Sequence, residues 1–174
     1  MFLYEDESHI RHYQTLRSTW SLKGRQTQIP TYGHHAAVSL FGCVNIQNEE
    51  FLCMETNRCN ATTFLTFVRY ILAQYQEEHI VMILDNAKIH HAKLLKSFLK
   101  QNEPRLTLLF LPPYSPNLNA VERIWGWLKG SVIVNGFHAT RKEIRKSAES
   151  FVDYVHAYPK KVLQGIGGLA MSKN

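Results

Sequence analysis

The sequence predicts a single mixed α/β domain, in which an antiparallel meander is followed by alternating helices and strands. A length of 174 residues suits one domain with a substantial core. Strand-like runs occur at residues 2–7, 36–46 and 50–56, and the last two are separated by a short polar turn, which is typical of antiparallel strands. Continuous apolar runs at residues 80–85 and 106–111 lie next to segments of helical periodicity. They therefore predict buried parallel strands with crossover helices.

Four segments have the apolar spacing of an amphipathic helix. They are predicted to begin at Asn60 or Thr62, near Ala92, near Asn119 and at Thr140, and the last is predicted to run to about Ala157. A further extended segment is expected around Trp20, with Lys23 and Gly24 as its turn. No internal repeat or linker interrupts this order, so we expect one domain.

Composition excludes several classes of protein. Hydrophobic residues make up 45% of the chain and charged residues 20%, without a low-complexity tract, which excludes a disordered chain. No apolar run reaches the roughly 18 residues of a membrane helix, and the acidic start MFLYEDESH is unlike a secretory signal. The three cysteines form no CxxC pair and leave one unpaired, which argues against a disulfide framework and favours a reducing cytoplasm.

The positive charge is concentrated at one end of the chain. Residues 1–122 carry 11 Lys+Arg and 11 Asp+Glu, whereas residues 123–174 carry 9 and 3, which accounts for the whole net charge of +6. A basic C-terminal third on a neutral body indicates a polyanionic partner, most simply nucleic acid. The alternative left open by charge alone is an ordinary basic protein.

The acidic residues mark a candidate site. Asp6 ends the first predicted strand, Asp85 ends a central one, and Glu122 falls in the first turn of a helix. Ligands of open α/β sheets gather beyond the carboxyl ends of strands, and three carboxylates are donors that suit Mg²⁺ or Mn²⁺. Two such ions about 3.5–4 Å apart are able to hold both oxygens of a phosphodiester displacement. The alternatives are a solvated strand end, a strand-to-loop turn and a capping box of Asn119 with Glu122.

Other chemistry has weaker support in the sequence. The chain contains no GxxxxGK[ST], GxSxG or HExxH motif and no GxGxxG after a strand. The adjacent pairs His34-His35 and His90-His91 lack the spacing of a zinc site. We therefore interpret these histidines as surface residues or as residues that support another site.

Three sequence blocks carry a resemblance to a known family. They are LYEDES at residues 3–8, LDNAKIHHAKLLKSFL at 84–99 and LFLPPYSPNLNAVERIWGWLK at 109–129, with the predicted Lys23-Gly24 hairpin between the first two. In this combination the chain resembles the catalytic domain of DDE transposases, in particular the bacterial insertion-sequence relatives of the mariner group. The resemblance implies a ribonuclease-H-like fold, with a mixed five-stranded sheet flanked by helices, over residues 1–160. Residues 161–174 are then expected to form a flexible tail.

The resemblance also implies a metal site and a reaction. Asp6, Asp85 and Glu122 correspond to the catalytic triad that binds Mg²⁺ or Mn²⁺, with two ions expected. Water attacks a phosphodiester at the transposon end, and the freed 3′ hydroxyl attacks target DNA. Asn86, His90 and Asn119 are expected to support the carboxylates or to contact DNA. Basic residues predicted to bind phosphates are Lys23, Arg25, Arg123, Lys129, Arg141, Lys142, Arg145 and Lys146.

Partners follow from the same resemblance. Transposon ends and target DNA are the expected ligands, bound by a homo-oligomer on DNA in the bacterial cytoplasm, at the nucleoid. Such transposases carry helix-turn-helix modules upstream of the first catalytic strand, so full activity is expected to need such a segment or a separate polypeptide. Either a split reading frame or a truncation is the expected reason that the first predicted strand begins at residue 2. The alternatives are a non-catalytic transposase remnant that binds DNA or a partner, and a general ribonuclease-H-like nuclease.

Overall fold

The computed structural model describes residues 1–11, 23–24, 37–113, 118–133, 138 and 140–161. Its strands are β1 (Phe2–Arg11), β2 (Ala37–Asn45), β3 (Glu50–Thr56), β4 (Ile80–Leu84) and β5 (Leu106–Phe110). Its helices are α1 (Ala61–Gln74), α2 (Lys93–Gln101), α3 (Ala120–Leu128) and α4 (Arg141–Ala157), with a 3₁₀ helix at Lys88–His91 and a π-helical turn at Lys129–Ile133. The predicted segment around Trp20 and the predicted tail after residue 161 lie outside the described residues.

The five strands form one mixed sheet in the order β3-β2-β1-β4-β5. β1 pairs antiparallel with β2, and β2 pairs antiparallel with β3. β4 is parallel to both of its neighbours, β1 and β5. The predicted fold class, a mixed five-stranded sheet flanked by helices, is confirmed. Because β3 runs parallel to β1, the carboxyl ends of β1, β3, β4 and β5 point towards the same edge of the sheet.

Helix starts follow the capping residues of the sequence. The Asn60 side chain accepts hydrogen bonds from the backbone N–H groups of Thr62 and Thr63, so Asn60 and not Thr62 is the N-cap of α1. The Thr140 side chain accepts from the Glu143 N–H and caps α4. Each side chain satisfies donors that a helix start leaves unpaired.

Each face of the sheet has its own apolar core. One core lies beneath α3 and α4 and contains Ile10, Val38, Leu40, Val44, Phe51, Val121, Ile124, Trp125, Leu128, Ile144, Ala148, Phe151 and Val155. The other lies beneath α1 and α2 and contains residues such as Leu3, Phe41, Phe64 and Ile71. Side chains of a strand alternate between faces, so Tyr4, Asp6 and Ile10 of β1 face α3 and α4 while Leu3, Glu5 and Glu7 face α1.

The prediction of a buried parallel strand at residues 106–111 is right in position and in parallel pairing with β4, but wrong in burial. β5 is the edge strand of the sheet, and its burial alternates. Leu106, Leu108 and Phe110 pack into the core under α1 and α2, while Thr107 and Leu109 point to the other face, where Leu109 is 50% exposed. An apolar run in the sequence does not reveal whether a second layer covers the strand. None of the described helices is both long and apolar enough to cross a membrane.

Candidate active site

The prediction that Asp6 ends the first strand is wrong, because pairing with β2 extends β1 to Arg11 and leaves Asp6 in the middle of the strand. Asp6 and Asp85 nevertheless occupy matching positions on adjacent parallel strands. β1 and β4 pair in register from Phe2 with Val81 to Tyr4 with Ile83. Continued by two residues, this offset sets Asp6 beside Asp85, the first residue after β4. Neighbouring strands lie about 4.8 Å apart, and in-register side chains of parallel strands point to the same face. The register therefore accounts for the approach of the two acids near the middle of the sheet.

Glu122 approaches Asp6 from α3, which covers this face of β1. Asp6 is buried, with 8% of its surface exposed, whereas Glu122 lies exposed in the first turn of α3. Burial raises the pKa of Asp6 from 3.8 to about 8, and the negative charges of Glu122 and Asp85 contribute to the same rise. Glu122 and Asp85 are thus each close enough to Asp6 to act on it electrostatically.

Asn119 connects the start of α3 to β1. Its side-chain oxygen accepts a hydrogen bond from the Val121 N–H at 3.2 Å, and its Nδ2 donates to the backbone oxygen of Glu5 at 2.7 Å. The residue is buried, with 3% exposed. One side chain therefore caps the helix that carries Glu122 and holds that helix against the residue before Asp6. The sequence predicted the cap, while the bond to β1 emerges only from the fold.

The spacing between α3 and the sheet depends on Gly42. This glycine is the cross-strand partner of Asp6 on β2, and the ring of Trp125 from α3 lies over it. A Cβ atom at residue 42 would lie 2.6 Å from Trp125 Cζ2 and 2.7 Å from Trp125 Cη2. Only a glycine lets the helix approach this closely, and Trp125 lies one helical turn after Glu122. The distance between Glu122 and Asp6 thus depends on a residue that sequence reasoning missed.

Asp85 is held by its own loop and by a buried histidine. Its Oδ1 accepts a hydrogen bond from the Ala87 N–H at 2.9 Å, and Nδ1 of His90 lies 3.2 Å from its backbone oxygen and 3.4 Å from Oδ1. His90 is 2% exposed and packs on the Phe64 ring. The neighbouring His91 forms a hydrogen bond with the Asn86 side chain at the exposed end of this loop. His90 therefore contacts Asp85 directly, and Asn86, the residue after Asp85, contacts His91 instead.

The tightest group of potential metal ligands is a different one. Among the described residues, ligand atoms of Glu5, Glu7 and His90 all lie within 4.8 Å of one another, whereas the predicted triad does not form such a group. Glu5 and Glu7 flank Asp6 in the sequence, and strand alternation turns them to the opposite face. The sequence signal for this group was the acidic run at residues 5–7: in a strand, alternating side chains place Glu5 and Glu7 on one face and Asp6 on the other. The assignment of metal ligands to Asp6, Asp85 and Glu122 stays a prediction.

The donor chemistry of the predicted triad fits a hard divalent cation. All three residues offer carboxylate oxygens, which Mg²⁺ and Mn²⁺ prefer. Within the described residues no Lys or Arg forms an ion pair with Asp6, and the charges acting on it are those of other acids. An arrangement of mutually repelling carboxylates around a buried aspartate is one that a bound cation would stabilise.

The predicted phosphate-binding residues fall into several environments. Arg25 lies outside the described residues, and Lys23 is exposed in the Lys23-Gly24 turn, where Gly24 has a φ of 82°. Arg123 and Lys129 belong to α3 and its π-helical extension. On α4, Arg145 pairs with Glu55 at 2.6 Å and Arg141 donates to the Asn57 side chain at 2.9 Å, while Lys142 and Lys146 are exposed. Their binding to DNA stays a prediction.

Comparison with known proteins identifies relatives in sequence and in fold. A family profile described as DDE superfamily endonuclease matches residues 1–145. The insertion element IS630 uncharacterized 39 kDa protein of Shigella sonnei is 28% identical over 157 residues, which cover 90% of this chain and 46% of that relative. The chain therefore spans less than half the length of this curated relative.

Two solved structures of Mos1 transposase have a similar fold. The paired-end complex with the left transposon end is 12% identical with a TM-score of 0.60, over 95% of this chain and 55% of that chain. The Mos1 mariner paired-end complex with Mn is 14% identical with a TM-score of 0.60, over 97% of this chain and 56% of that chain. The predicted resemblance to DDE transposase catalytic domains is confirmed in family and fold. By the match over most of its length, the chain belongs to the DDE superfamily of endonucleases.

Proposed function

We propose that this chain is the catalytic domain of an insertion-sequence transposase, which cleaves DNA at transposon ends and joins those ends to target DNA. The observation that supports it most strongly is the placement of Asp6 and Asp85 at matching positions of adjacent parallel strands, with Glu122 in the first turn of α3, in a chain of the DDE endonuclease family. The likeness to transposase structures that contain a transposon end and Mn supports DNA as substrate and a divalent cation as cofactor.

In this proposal Asp6, Asp85 and Glu122 hold two Mg²⁺ or Mn²⁺ ions through their carboxylate oxygens. When bound, the ions supply activation of the attacking oxygen and stabilisation of charge on the leaving oxygen. Water displaces one 3′ oxygen of a phosphodiester at the transposon end, and the freed 3′ hydroxyl then displaces a 3′ oxygen of target DNA. The chain contributes a fixed geometry, because Asn119 ties α3 to β1 and His90 contacts Asp85.

The DNA would cross the sheet at the level of Asp6, in the middle of β1, and of Asp85, directly after β4. Asn57 follows β3 and accepts a hydrogen bond from Arg141 at the start of α4. By the strand register Asp6 is level with Cys53 of β3, so Asn57 lies two to three strands across and four residues further along from the carboxylates, about 16–20 Å away at ordinary strand spacing. That span suits phosphate contacts on a strand held across the site.

The test of the proposal is nicking of supercoiled plasmid DNA by the purified chain. We expect nicked product with Mn²⁺ or Mg²⁺ and none with EDTA, because the attacking oxygen needs a cation to be activated. A DNA-binding remnant would retard the same DNA without nicking it in either metal. Nicking that persists in EDTA would contradict the metal-dependent mechanism. Ribonuclease activity on an RNA–DNA hybrid, without joining of a pre-cleaved end, would favour the general nuclease.

The charge of α4 gives a second expected result. Lys142 and Lys146 are exposed and form no ion pair with any described residue, whereas Arg145 is paired with Glu55. Each phosphate contact contributes about −0.9 to the slope of log affinity against log salt. Replacing both lysines by Ala is therefore expected to flatten that slope by about 2, measured by fluorescence anisotropy of labelled duplex DNA.

The matched control for the lysine variant is the double replacement of Arg141 and Arg145 by Ala. It removes the same charge from the same helix, but these side chains already contact Asn57 and Glu55. We expect a smaller change of slope from this control, and the largest change when all four residues are replaced. An unchanged slope in the fourfold variant would mean that this helix face does not contact DNA.

A further inference from the structure

We infer that Glu5, Glu7 and His90 form a second divalent-metal site, on the face of β1 opposite to Asp6, which takes a transition-metal ion of the Zn²⁺ class. One ligand atom from each residue lies within 4.8 Å of the other two. Because Glu5 and Glu7 alternate with Asp6 along the strand, this site faces α1 and shares no ligand with the predicted triad, although His90 also contacts Asp85 through Nδ1. The inference does not depend on the proposed function, since its readout is metal binding.

The distances within the cluster fit a single small ion. His90 Nε2 lies 3.3 Å from Glu7 Oε1 and 3.7 Å from Glu5 Oε2. Ligands about 2.0–2.1 Å from a tetrahedral Zn²⁺ are about 3.3–3.4 Å from one another. The two separations from His90 therefore need a closure of a few tenths of an ångström at most, while the oxygens of Glu5 and Glu7 lie within 4.8 Å of each other. Three protein ligands leave a fourth position for water.

Buried atoms without partners point into the cluster. Glu5 has no exposed surface, and both of its carboxylate oxygens lack a hydrogen-bond partner, as does Nε2 of His90. Buried polar atoms are nearly always paired, and a buried charge without compensation is strongly unfavourable. A divalent cation among these atoms would neutralise both carboxylates and satisfy the imidazole nitrogen at once.

The second nitrogen of His90 is already positioned as in many metal-binding histidines. Nδ1 lies 3.2 Å from the backbone oxygen of Asp85, an acceptor that requires the proton to be on Nδ1. In the neutral imidazole, the form that binds metal ions, Nε2 then presents a lone pair to Glu5 and Glu7. A ligating histidine usually donates its other N–H to a carbonyl or carboxylate, which fixes the ring. The lone pair would repel the two carboxylates unless a cation lies between them.

The ligand set selects the class of metal. Carboxylates suit hard cations, but an imidazole nitrogen suits Zn²⁺ and related transition metals better than Mg²⁺. The triad offers oxygen donors alone, so the two sites differ in preference. The side chain of Glu7 retains 12% exposure, which gives the otherwise buried site a route to solvent.

The experiment is a Zn²⁺ titration against a chromophoric chelator, with Co²⁺ absorption as a second readout. The protein is a double variant, Asp6→Asn with Glu122→Gln, which disables the predicted triad. We expect one equivalent of Zn²⁺ to bind, and at least about 100-fold weaker binding when Glu7→Gln or His90→Gln is added. The Co²⁺ spectrum should show tetrahedral d–d bands without a thiolate charge-transfer band, which excludes the three cysteines as ligands.

His91→Gln is the matched control, because His91 lies on the same 3₁₀ helix but is exposed and contacts Asn86. It should leave Zn²⁺ affinity within about threefold of the parent. Glu7→Gln, which changes a partly exposed residue, keeps the test valid if a change at fully buried Glu5 prevents folding. The inference is overturned if the double variant binds no Zn²⁺, if His91→Gln weakens binding as much as His90→Gln, or if nitrogen-15 NMR finds a proton on Nε2 of His90 at saturating Zn²⁺.

Discussion

Asp6→Asn is expected to abolish metal-dependent DNA cleavage and, in the same molecule, to stabilise the metal-free fold. Asn keeps the shape of the side chain but removes a charge that two cations need. Lewis-acid stabilisation contributes several kcal/mol to such reactions, and each 1.36 kcal/mol is a factor of ten in rate. We therefore expect a loss of at least about 100-fold in nicking rate. A purely structural aspartate would not combine this loss with a gain in stability.

The sign of the stability change follows from the environment of Asp6. Burial and neighbouring acids raise its pKa from 3.8 to about 8. The folded state thus holds this proton more tightly than the unfolded chain, so the contribution of Asp6 to the free energy of unfolding falls as pH rises from about 4 to about 8. The upper limit is about 5 kcal/mol. Because water and small structural adjustments reduce the cost of the buried charge, we expect Asp6→Asn to raise the free energy of unfolding by about 1–3 kcal/mol at pH 8.

Urea denaturation in EDTA at pH 8 measures this gain. The same measurement with Mn²⁺ shows how much metal binding adds to the free energy of unfolding. Mn²⁺ should raise the stability of the wild type more than that of the variant, because a ligand stabilises only a fold that binds it and the variant lacks a ligand of the predicted triad. Asp85→Asn and Glu122→Gln should lose cleavage with little change in stability, since both side chains are exposed. Glu103→Gln, an exposed acid in the turn after α2, is the control. Cleavage by Asp6→Asn within threefold of the wild-type rate would contradict the assignment.

Local patterns in the sequence predicted much of this architecture. Periodicity located the helices, and polar residues such as Asn60, Asn119 and Thr140 marked their starts. The apolar run that stops at Asp85 predicted a central parallel strand with an acid at its carboxyl end, as β4 has. These features are local, because capping and amphipathicity depend on residues within one or two turns of each other.

Features that depend on contacts between distant residues were not predictable in this way. The bond from Asn119 to the Glu5 backbone joins residues 114 positions apart. The group of Glu5, Glu7 and His90 forms because β1 lies beside the loop after β4, and adjacent histidines in a sequence give no hint of that. Gly42 likewise looked like an ordinary residue in a strand. The close approach of Trp125 becomes apparent only when α3 lies on the sheet.

Gly42→Ala is expected to destabilise the protein and to reduce cleavage although residue 42 contacts no substrate. The added methyl group would lie 2.6 Å from the Trp125 ring and 3.0 Å from the Phe51 ring, so α3 must move outward. Overpacking of this kind costs about 1–3 kcal/mol. A displacement of about 1 Å at a catalytic group lowers rate by about 100-fold, and Glu122 moves with the helix. Thermal unfolding and the plasmid-nicking rate measure the two effects.

Two further variants separate the steric clash from other effects of the substitution. Gly126→Ala adds the same methyl group within α3, where no atom lies within 4 Å of the new Cβ. It should stabilise the protein by about 0.5–1 kcal/mol, because Ala favours a helix more than Gly does.

Trp125→Phe removes the ring atoms that the Gly42→Ala methyl would strike, so the double variant should be more stable than the sum of the single changes predicts. Coupling of at least about 1 kcal/mol in this cycle is expected for residues in direct contact. Strict additivity would show that contact between Gly42 and Trp125 does not set the distance from α3 to β1.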